Sequence, residues 1–532
     1  MRRRVLASAL TGLALVTQLT GVASARPGVR DDRRPQTGTP AGIGWSACGA
    51  AARRAECAGL KVPVDWAHPG GQTLSLAIGR LKARDPAKRL GVLVVHPNGP
   101  GASGLDAYIH GRTIPDGSPL RRYFDVVSMD PRGVGRSSPV LCSADLVERS
   151  PQTYPATEAE YRGWLAYNAR LSTNCRERTG DLFDHVDTTS AARDVDAIRA
   201  ALGEREISFY ASSYGTQVGQ QYAELFPGHV RAMALESIMD HSIISPYDYL
   251  KTMTEDFESS LRAFSAWCHD TATCALHGRD ATALWDHLYR RAKAGTLADP
   301  QTGVPMSDEE LRVEVLQNMY LPSVGWFRLA SRLDSLVDGR VSRRATDPPP
   351  EPGTVNYAYP AIWCSDWKWN VRSFAQLDGY RRRLKALAPH TELSPFWSDV
   401  VNCLNWRGRV SNPQHRLRIT GTPPILLVKA RHDVATPAVW TYAAARQMPS
   451  SVILEYDGIG HGQSDNSACA RAHIAAYLIN RTIPPPGTRC APEYSTRPPT
   501  RPMSVPDPPP TPLRNTHDTH GENPPITPLF GR

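Results

Sequence analysis

Apolar residues along the chain fall into two patterns. Short continuous runs such as Gly91–Val95, Phe124–Met129 and Pro424–Val428 are followed by Gly, Pro, Asp or Arg, and Val452–Leu454 repeats the theme. Runs of that length without polar alternation predict strands buried on both faces of a parallel sheet. Elsewhere the apolar positions recur every three or four residues. Val218, Tyr222, Ala223 and Leu225 do so until Pro227-Gly228 stops the run, as do Phe257, Leu261, Phe264 and Trp267, and again Leu284, Leu288 and Ala292. These predict amphipathic helices. Strands and helices alternate from about residue 60 to 236 and resume at 424, whereas about 245–415 shows only the helical period. The pattern predicts an α/β fold with a mostly parallel central sheet and an inserted, mainly helical cap.

The chemistry sits where those strands end. Ile207, Phe209 and Ala211 close a buried strand, and Ser212-Ser213-Tyr214-Gly215 leads into the helix that carries Val218. A serine on a sharp strand-to-helix turn is a nucleophile elbow, G-x-S-x-G, of the α/β-hydrolase fold. Here Ala211 replaces the first glycine and Gly215 keeps the second. Downstream, Asp433 follows the run Pro424–Val428 in Ala430-Arg431-His432-Asp433, and His461 follows Val452–Leu454 in Gly458-Ile459-Gly460-His461-Gly462. Ser, Asp and His in that order, on loops after successive strands, predict a triad of Ser213, Asp433 and His461. The loop His96-Pro97-Asn98-Gly99-Pro100-Gly101 after the run Gly91–Val95 can point backbone N–H groups inward, and with the N–H of Tyr214 it could form an oxyanion hole.

Taken together, the loop P-N-G-P-G-A-S-G, the turn Asp130-Pro131-Arg132-Gly133-Val134-Gly135-Arg136-Ser137, the segment Thr188–Arg199, S-S-Y-G-T, D-V-A-T-P and G-H-G resemble the secreted bacterial tripeptidyl aminopeptidases, which belong with the proline iminopeptidase-type serine peptidases. The resemblance runs from about Trp45 to Cys490. It implies the same triad, with Gly99 and Tyr214 as backbone oxyanion donors, peptide substrates with a free N-terminus, and release of short N-terminal fragments. The chain departs from the family loop at His96, Asn98 and Ala102, and from the elbow at Ala211. Proximity in sequence and the family pattern suggest the pairs Cys48–Cys57, Cys142–Cys175, Cys268–Cys274, Cys364–Cys403 and Cys469–Cys490. A carboxylesterase or lactonase with the same triad is the alternative; a non-catalytic binding protein would be expected to have lost the triad. Epoxide hydrolysis needs a carboxylate where Ser213 stands.

An exopeptidase must also neutralise its substrate's ammonium, which calls for acids near the pocket. Candidates are Glu236 and Asp240 after the elbow helix, Glu255, Asp256 and Glu258 at the start of the cap, and Asp366. The resemblance ranks Asp366 and Glu255 ahead. The cap is aromatic, from Tyr320 and Trp326 through Trp363, Trp367 and Trp369 to Trp406.

Composition changes the picture at the ends. Arg2-Arg3-Arg4, an apolar stretch from Val5 to Val22, and Ala23-Ser24-Ala25 predict a signal peptide over 1–25 and hence a secreted, extracellular protein. Residues 26–42 read as a linker or propeptide, 43–244 and 416–490 as the two parts of the hydrolase core, and 245–415 as the cap insertion. Residues 491–532 hold 12 prolines and five Val, Ile, Leu or Phe, which predicts a disordered tail. Ten cysteines fit an oxidising compartment, and the lack of any C-x-x-C pair argues against zinc. No cofactor is expected. The net charge of +9 is spread through the chain without a basic stripe interleaved with aromatics, so nucleic acid is not an expected partner. No later apolar run approaches the ~20 residues of a membrane span. The oligomeric state is left open.

Overall fold

The computed structural model describes residues 43–49, 54–109, 114, 117–300, 302–338 and 353–498; the expected signal peptide and linker lie outside them, as do the last 34 residues. Ten strands form one sheet: β1 (Ser46–Ala47), β2 (Glu56–Pro63), β3 (Thr73–Leu81), β4 (Gly91–Val95), β5 (Phe124–Met129), β7 (Ile207–Ser212), β8 (Val230–Glu236), β10 (Ile425–His432), β11 (Val452–Ile459) and β12 (Arg489–Cys490). A separate ribbon pairs β6 (Leu141–Ser143) with β9 (Thr354–Asn356). The order in the large sheet is β1-β2-β3-β5-β4-β7-β8-β10-β11-β12. The first four are antiparallel neighbours, and every pairing from β5–β4 onward is parallel.

The continuous apolar runs are explained by what lies on either side. Along each central strand alternate residues face opposite ways, and they enter two different cores. Val92, Val94, Phe209, Ala211 and Leu427 join one; Leu93, Val95, Tyr210, Leu426 and Val428 join the other. Helices such as Thr188–Ala201 and Gly215–Leu225 cover the first face, and Ala468–Asn480 covers the second. Helical capping follows the sequence locally: Asp187 accepts from the Ser190 amide, and Ser467 from that of Ala470.

Between β8 and β10 the chain makes the helices Pro246–Asp270, Ala281–Lys293, Asp308–Met319, Pro322–Ser335, Ala358–Asp366 and Phe374–Leu387. Their apolar faces do not form a core of their own. Phe257, Trp285, Trp363 and Leu384 belong to the same cluster as Val218 and Met233 of the sheet layer, so this segment is packed into the body of the molecule. It is not purely helical, since β9 ties it to β6.

The ten cysteines form the five disulfides that the resemblance implied: Cys48–Cys57, Cys142–Cys175, Cys268–Cys274, Cys364–Cys403 and Cys469–Cys490. His473 lies close to Cys469 and Cys490, but their sulfurs are bonded to each other, which removes both as thiolate ligands. Among the described residues no helix is long and apolar enough to cross a membrane.

The composition of 491–532 is misleading at its start. Glu493 accepts from the Ser467 hydroxyl and the Ala468 amide, the Tyr494 hydroxyl accepts from the Ile459 amide at 2.9 Å, and the Ser323 hydroxyl donates to the Glu493 carbonyl. Two polar anchors and one tyrosine suffice to seat a segment that has almost nothing apolar to bury.

Candidate active site

β7 delivers Ser213 in the left-handed region, with φ +58°, a conformation that costs a non-glycine residue roughly 1–3 kcal/mol and persists only where its surroundings enforce it. They do so here. The Ser213 amide donates to the Glu236 carbonyl at 3.1 Å, and its carbonyl accepts from the Thr216 amide at 2.9 Å and hydroxyl at 2.7 Å. A Cβ on Gly215 would lie 2.8 Å from the Pro97 carbonyl oxygen and 3.1 Å from Ala211 Cβ. Gly215 is therefore the residue that cannot change, and its missing side chain is what leaves room for alanine at 211. Ser212 is buried, whereas Ser213 is partly exposed.

β8 lies beside β7, with β10 and then β11 beyond it, all running the same way, so their carboxyl ends share one edge. That edge is where open α/β sheets place their sites. Asp433 directly follows β10. Its Oδ1 and Oδ2 lie 2.8 and 3.1 Å from His461 Nδ1, so Nδ1 carries the proton and Nε2 is the basic nitrogen. Asp433 also accepts from the amides of Ala435 at 2.9 Å and Thr436 at 3.0 Å, from Thr436 Oγ1 at 2.9 Å and from Ser237 Oγ at 2.7 Å. Burial acts to raise its pKa, but His461 and these donors outweigh it and hold the carboxyl below the usual range. The histidine loop lies against the elbow: a Cβ on Gly462 would be 3.8 Å from both Ser212 Oγ and Glu236 Oε1.

The glycine-rich loop after β4 is bonded to the same turn. The Gly215 amide donates to the Asn98 carbonyl at 3.2 Å, the His96 amide to the Tyr210 carbonyl at 3.1 Å, and the Tyr108 hydroxyl to Asn98 Oδ1 at 2.8 Å. Gly99 thus follows a residue tied to the first turn of the elbow helix, where the Tyr214 amide also sits. Burial pulls the pKa of His96 down to about 4, and its Nδ1 lies 3.0 Å from the Pro97 carbonyl. It is a neutral buttress under the loop.

The proposed amine acids fare differently. Glu236, the last residue of β8, is buried beneath the His461 loop and accepts from the Tyr210 hydroxyl at 2.6 Å, the Ser464 amide at 2.7 Å and the Ser464 hydroxyl at 2.8 Å. Asp366 is buried and accepts from the Thr188 amide, the Thr188 hydroxyl and Asn412 Nδ2. Burial, with nearby Asp187 adding to it, raises its pKa to about 8. Glu255 is half-exposed and pairs with Lys251 at 3.1 Å. The three are not brought together, and each has its oxygens committed elsewhere. Glu258 pairs with Arg262 at 2.8 Å, and Asp256 secures the acid loop through His432 Nδ1 at 3.0 Å and the Asp433 amide at 3.3 Å.

One residue at this site escaped the sequence reading. Ser237, with φ +53°, joins the loops that carry Asp433 and His461: beyond its bond to Asp433, its hydroxyl accepts from the Gly462 amide at 2.8 Å and Gln463 Nε2 at 2.9 Å. Its position at the carboxyl end of the strand between the nucleophile and acid strands was an available signal. Tyr320, read in the sequence only as one of the cap's aromatics, comes from the insertion, and no local pattern marks its contact with His461.

Sheet, elbow and His–Asp pair define a serine hydrolase of the α/β-hydrolase fold. Residues 391–490 match the family described as TAP-like protein. The chain is 29% identical to the tripeptidyl aminopeptidase of Streptomyces lividans, covering 86% of this chain and 88% of that one. It is 30% identical to the serine protease Hip1 of Mycobacterium tuberculosis strain H37Rv, covering 91% and 96%, and 30% identical to carboxylesterase B of the same strain, covering 92% and 99%. The chain belongs to the tripeptidyl aminopeptidase family of serine peptidases.

Proposed function

We propose that this enzyme is a secreted exopeptidase that releases short N-terminal fragments, tripeptides foremost, from peptides with a free amine, using Ser213, His461 and Asp433. The observation that carries the reading is the His461–Asp433 pair facing the same sheet edge as a serine held at φ +58°. Ser213 Oγ attacks the scissile carbonyl while His461 Nε2 takes its proton, and Asp433 stabilises the imidazolium. The amides of Gly99 and Tyr214 receive the oxyanion, an effect commonly worth about 3 kcal/mol per donor. Collapse passes the proton from Nε2 to the leaving amine and leaves the N-terminal fragment as an acyl ester on Ser213. Water, deprotonated by the same histidine, then frees it.

Restriction to chain ends is supported by the insertion, whose residues touch both catalytic loops. The Tyr320 carbonyl accepts from the His461 amide at 3.0 Å, and the Tyr359 amide nitrogen is 3.3 Å from where a Gly101 Cβ would stand. Secretion is supported by the leader pattern and by five disulfides.

The test is a panel of aminoacyl, dipeptidyl and tripeptidyl chromogenic amides, with N-acetylated versions and simple esters alongside. Fastest cleavage of free-amine tripeptidyl amides is the expected result. Esters cleaved far better than any amide would replace the reading with a carboxylesterase, the activity for which the third relative is named.

A further inference from the structure

We infer that Asp399, framed by the phenols of Tyr249 and Tyr359, is the anchor for a substrate ammonium. The inference rests on the exopeptidase reading above and supplies the residue that reading lacks. Asp399 lies in the short helix Ser398–Val401 of the insertion, 1% exposed. Tyr249 donates its hydroxyl to Oδ2 at 2.6 Å and Tyr359 to Oδ1 at 2.7 Å. Among the described residues no Lys, Arg or His pairs with it. Its backbone carbonyl accepts the indole N–H of both Trp363 and Trp369 at 2.9 Å, which fixes the aromatic wall around it. Trp363 stacks on Trp367 at 4.8 Å, and Tyr249 on Trp440 at 5.2 Å.

A buried carboxylate with no counter-ion is expensive, and removing one partner of such a pair is far worse than never having had it. Walled by aromatic faces, the same carboxylate becomes the complement of an ammonium, because the ring quadrupoles and the charge both favour a cation. Burial lifts its carboxyl to about 7, against the two phenol hydrogen bonds that favour ionisation. An arriving ammonium supplies what the cage is missing.

The place is right as well. Tyr359 belongs to the helix Ala358–Asp366, which abuts the Gly101 loop. The Tyr320 ring stands edge-on to His461 at 4.8 Å, and its hydroxyl feels the charges of both Asp433 and Asp399. Asp399 is therefore linked through Tyr359 to the helix that abuts the Gly101 loop and through Tyr320 to the surroundings of His461. Asp366, by contrast, joins the insertion to the helix Thr188–Ala201 and is saturated by backbone, hydroxyl and amide donors. A fixed distance from anchor to Ser213 would set the length of the fragment released.

The ammonium has two sources, the substrate's N-terminus or a lysine side chain, and substrates separate them. On the full-length secreted protein, Ala-Ala-Ala and Ala-Ala-Lys p-nitroanilides are compared free and N-acetylated in wild type, Asp399→Asn and Asp399→Glu. The expected result is a KM at least about tenfold higher in Asp399→Asn for every substrate carrying the recognised ammonium, smaller effects on kcat, no such rise for substrates lacking it, and partial recovery in Asp399→Glu. A rise for free but not blocked Ala-Ala-Ala assigns the N-terminus; a rise confined to the lysine substrates assigns the side chain. Equal losses on charged and uncharged substrates, or no loss on any, overturn the inference. A wild type that treats free and acetylated amides alike and prefers esters sinks the exopeptidase reading itself, whatever Asp399→Asn does. Should Asp399→Asn fail to fold, Tyr359→Phe removes one hydrogen bond while keeping the ring. The groups facing the carboxylate are the phenols of Tyr249, Tyr359 and Tyr320, from three elements. Loss of one donor should move the pH midpoint of KM upward, and an unmoved midpoint counts against the anchor.

Discussion

Tyr320 holds His461 twice: its carbonyl accepts the histidine's backbone amide at 3.0 Å, and its ring stands edge-on to the imidazole at 4.8 Å. Asn466 closes the arrangement, donating to the carbonyls of Tyr320, His461 and Gly462. The insertion thus fixes the loop that carries His461, the proposed general base. Tyr320→Phe keeps both contacts and should leave kcat within about threefold. Tyr320→Ala keeps only the carbonyl and should lower kcat further through a mobile imidazole, a difference read by comparing the two variants on one amide substrate.

Removal of the nucleophile is the plainest test of the triad. Ser213→Ala should lower kcat by about four orders of magnitude or more, with secretion and melting temperature preserved. A serine-directed fluorophosphonate should label wild type at Ser213 and leave the variant unlabelled. Near-normal turnover in the variant would end the proposed mechanism.

Ser237 tests whether orientation of the acid matters. At φ +53° glycine fits without strain, so Ser237→Gly removes the hydroxyl without disturbing the backbone, and the Gly462 amide and Gln463 Nε2 lose it as an acceptor. Asp433 then loses one charge-assisted hydrogen bond, worth about 1.5–3 kcal/mol. The expected outcome is a kcat reduced about tenfold to a hundredfold with KM nearly unchanged.

Stability should be squeezed from both sides of neutral pH. Asp433 has a depressed pKa in the folded state, so its contribution is present above the unfolded carboxyl value and is lost as pH falls through the folded one. Asp366 is the opposite case, raised to about 8. Its contribution is full below the unfolded value near 4 and is lost as pH rises toward 8. Melting temperature should therefore decline from about pH 5 to pH 8, and Asp366→Asn should flatten that decline. An unchanged slope would show that Asp366 does not titrate in this range.

The bridge Cys364–Cys403 joins the helix of Asp366 to the turn after Asp399. Replacing both cysteines by serine should cost about 2–4 kcal/mol of stability, and mass spectrometry of the unreduced wild type should find no free thiol.

The central strands and the elbow were legible for different reasons. A strand covered on both faces must be apolar at every position, so Gly91–Val95 and Pro424–Val428 announce themselves, and the elbow is a local motif whose steric demand falls on Gly215. The acids were not legible. Glu236 and Asp366 look like any other carboxylates in the sequence, and only the distant Tyr210, Ser464, Thr188 and Asn412 make them internal hydrogen-bond acceptors. Asp399 acquires its meaning from Tyr249, 150 residues earlier, and no periodicity records such a pairing. Glu493 and Tyr494 were hidden by the prolines around them.

The second of those residues bears on how the His461 loop is held. The Tyr494 hydroxyl receives the Ile459 amide two residues before His461, and the Tyr494 ring packs on Trp326 of the insertion at 4.9 Å. Ser213 is made long before this support for the His461 loop, which lies near the end of the described residues. A chain cut short before Tyr494 would carry a complete triad in its sequence and an unbraced histidine in space. The brace on the His461 loop is therefore completed only in a chain that extends to Tyr494.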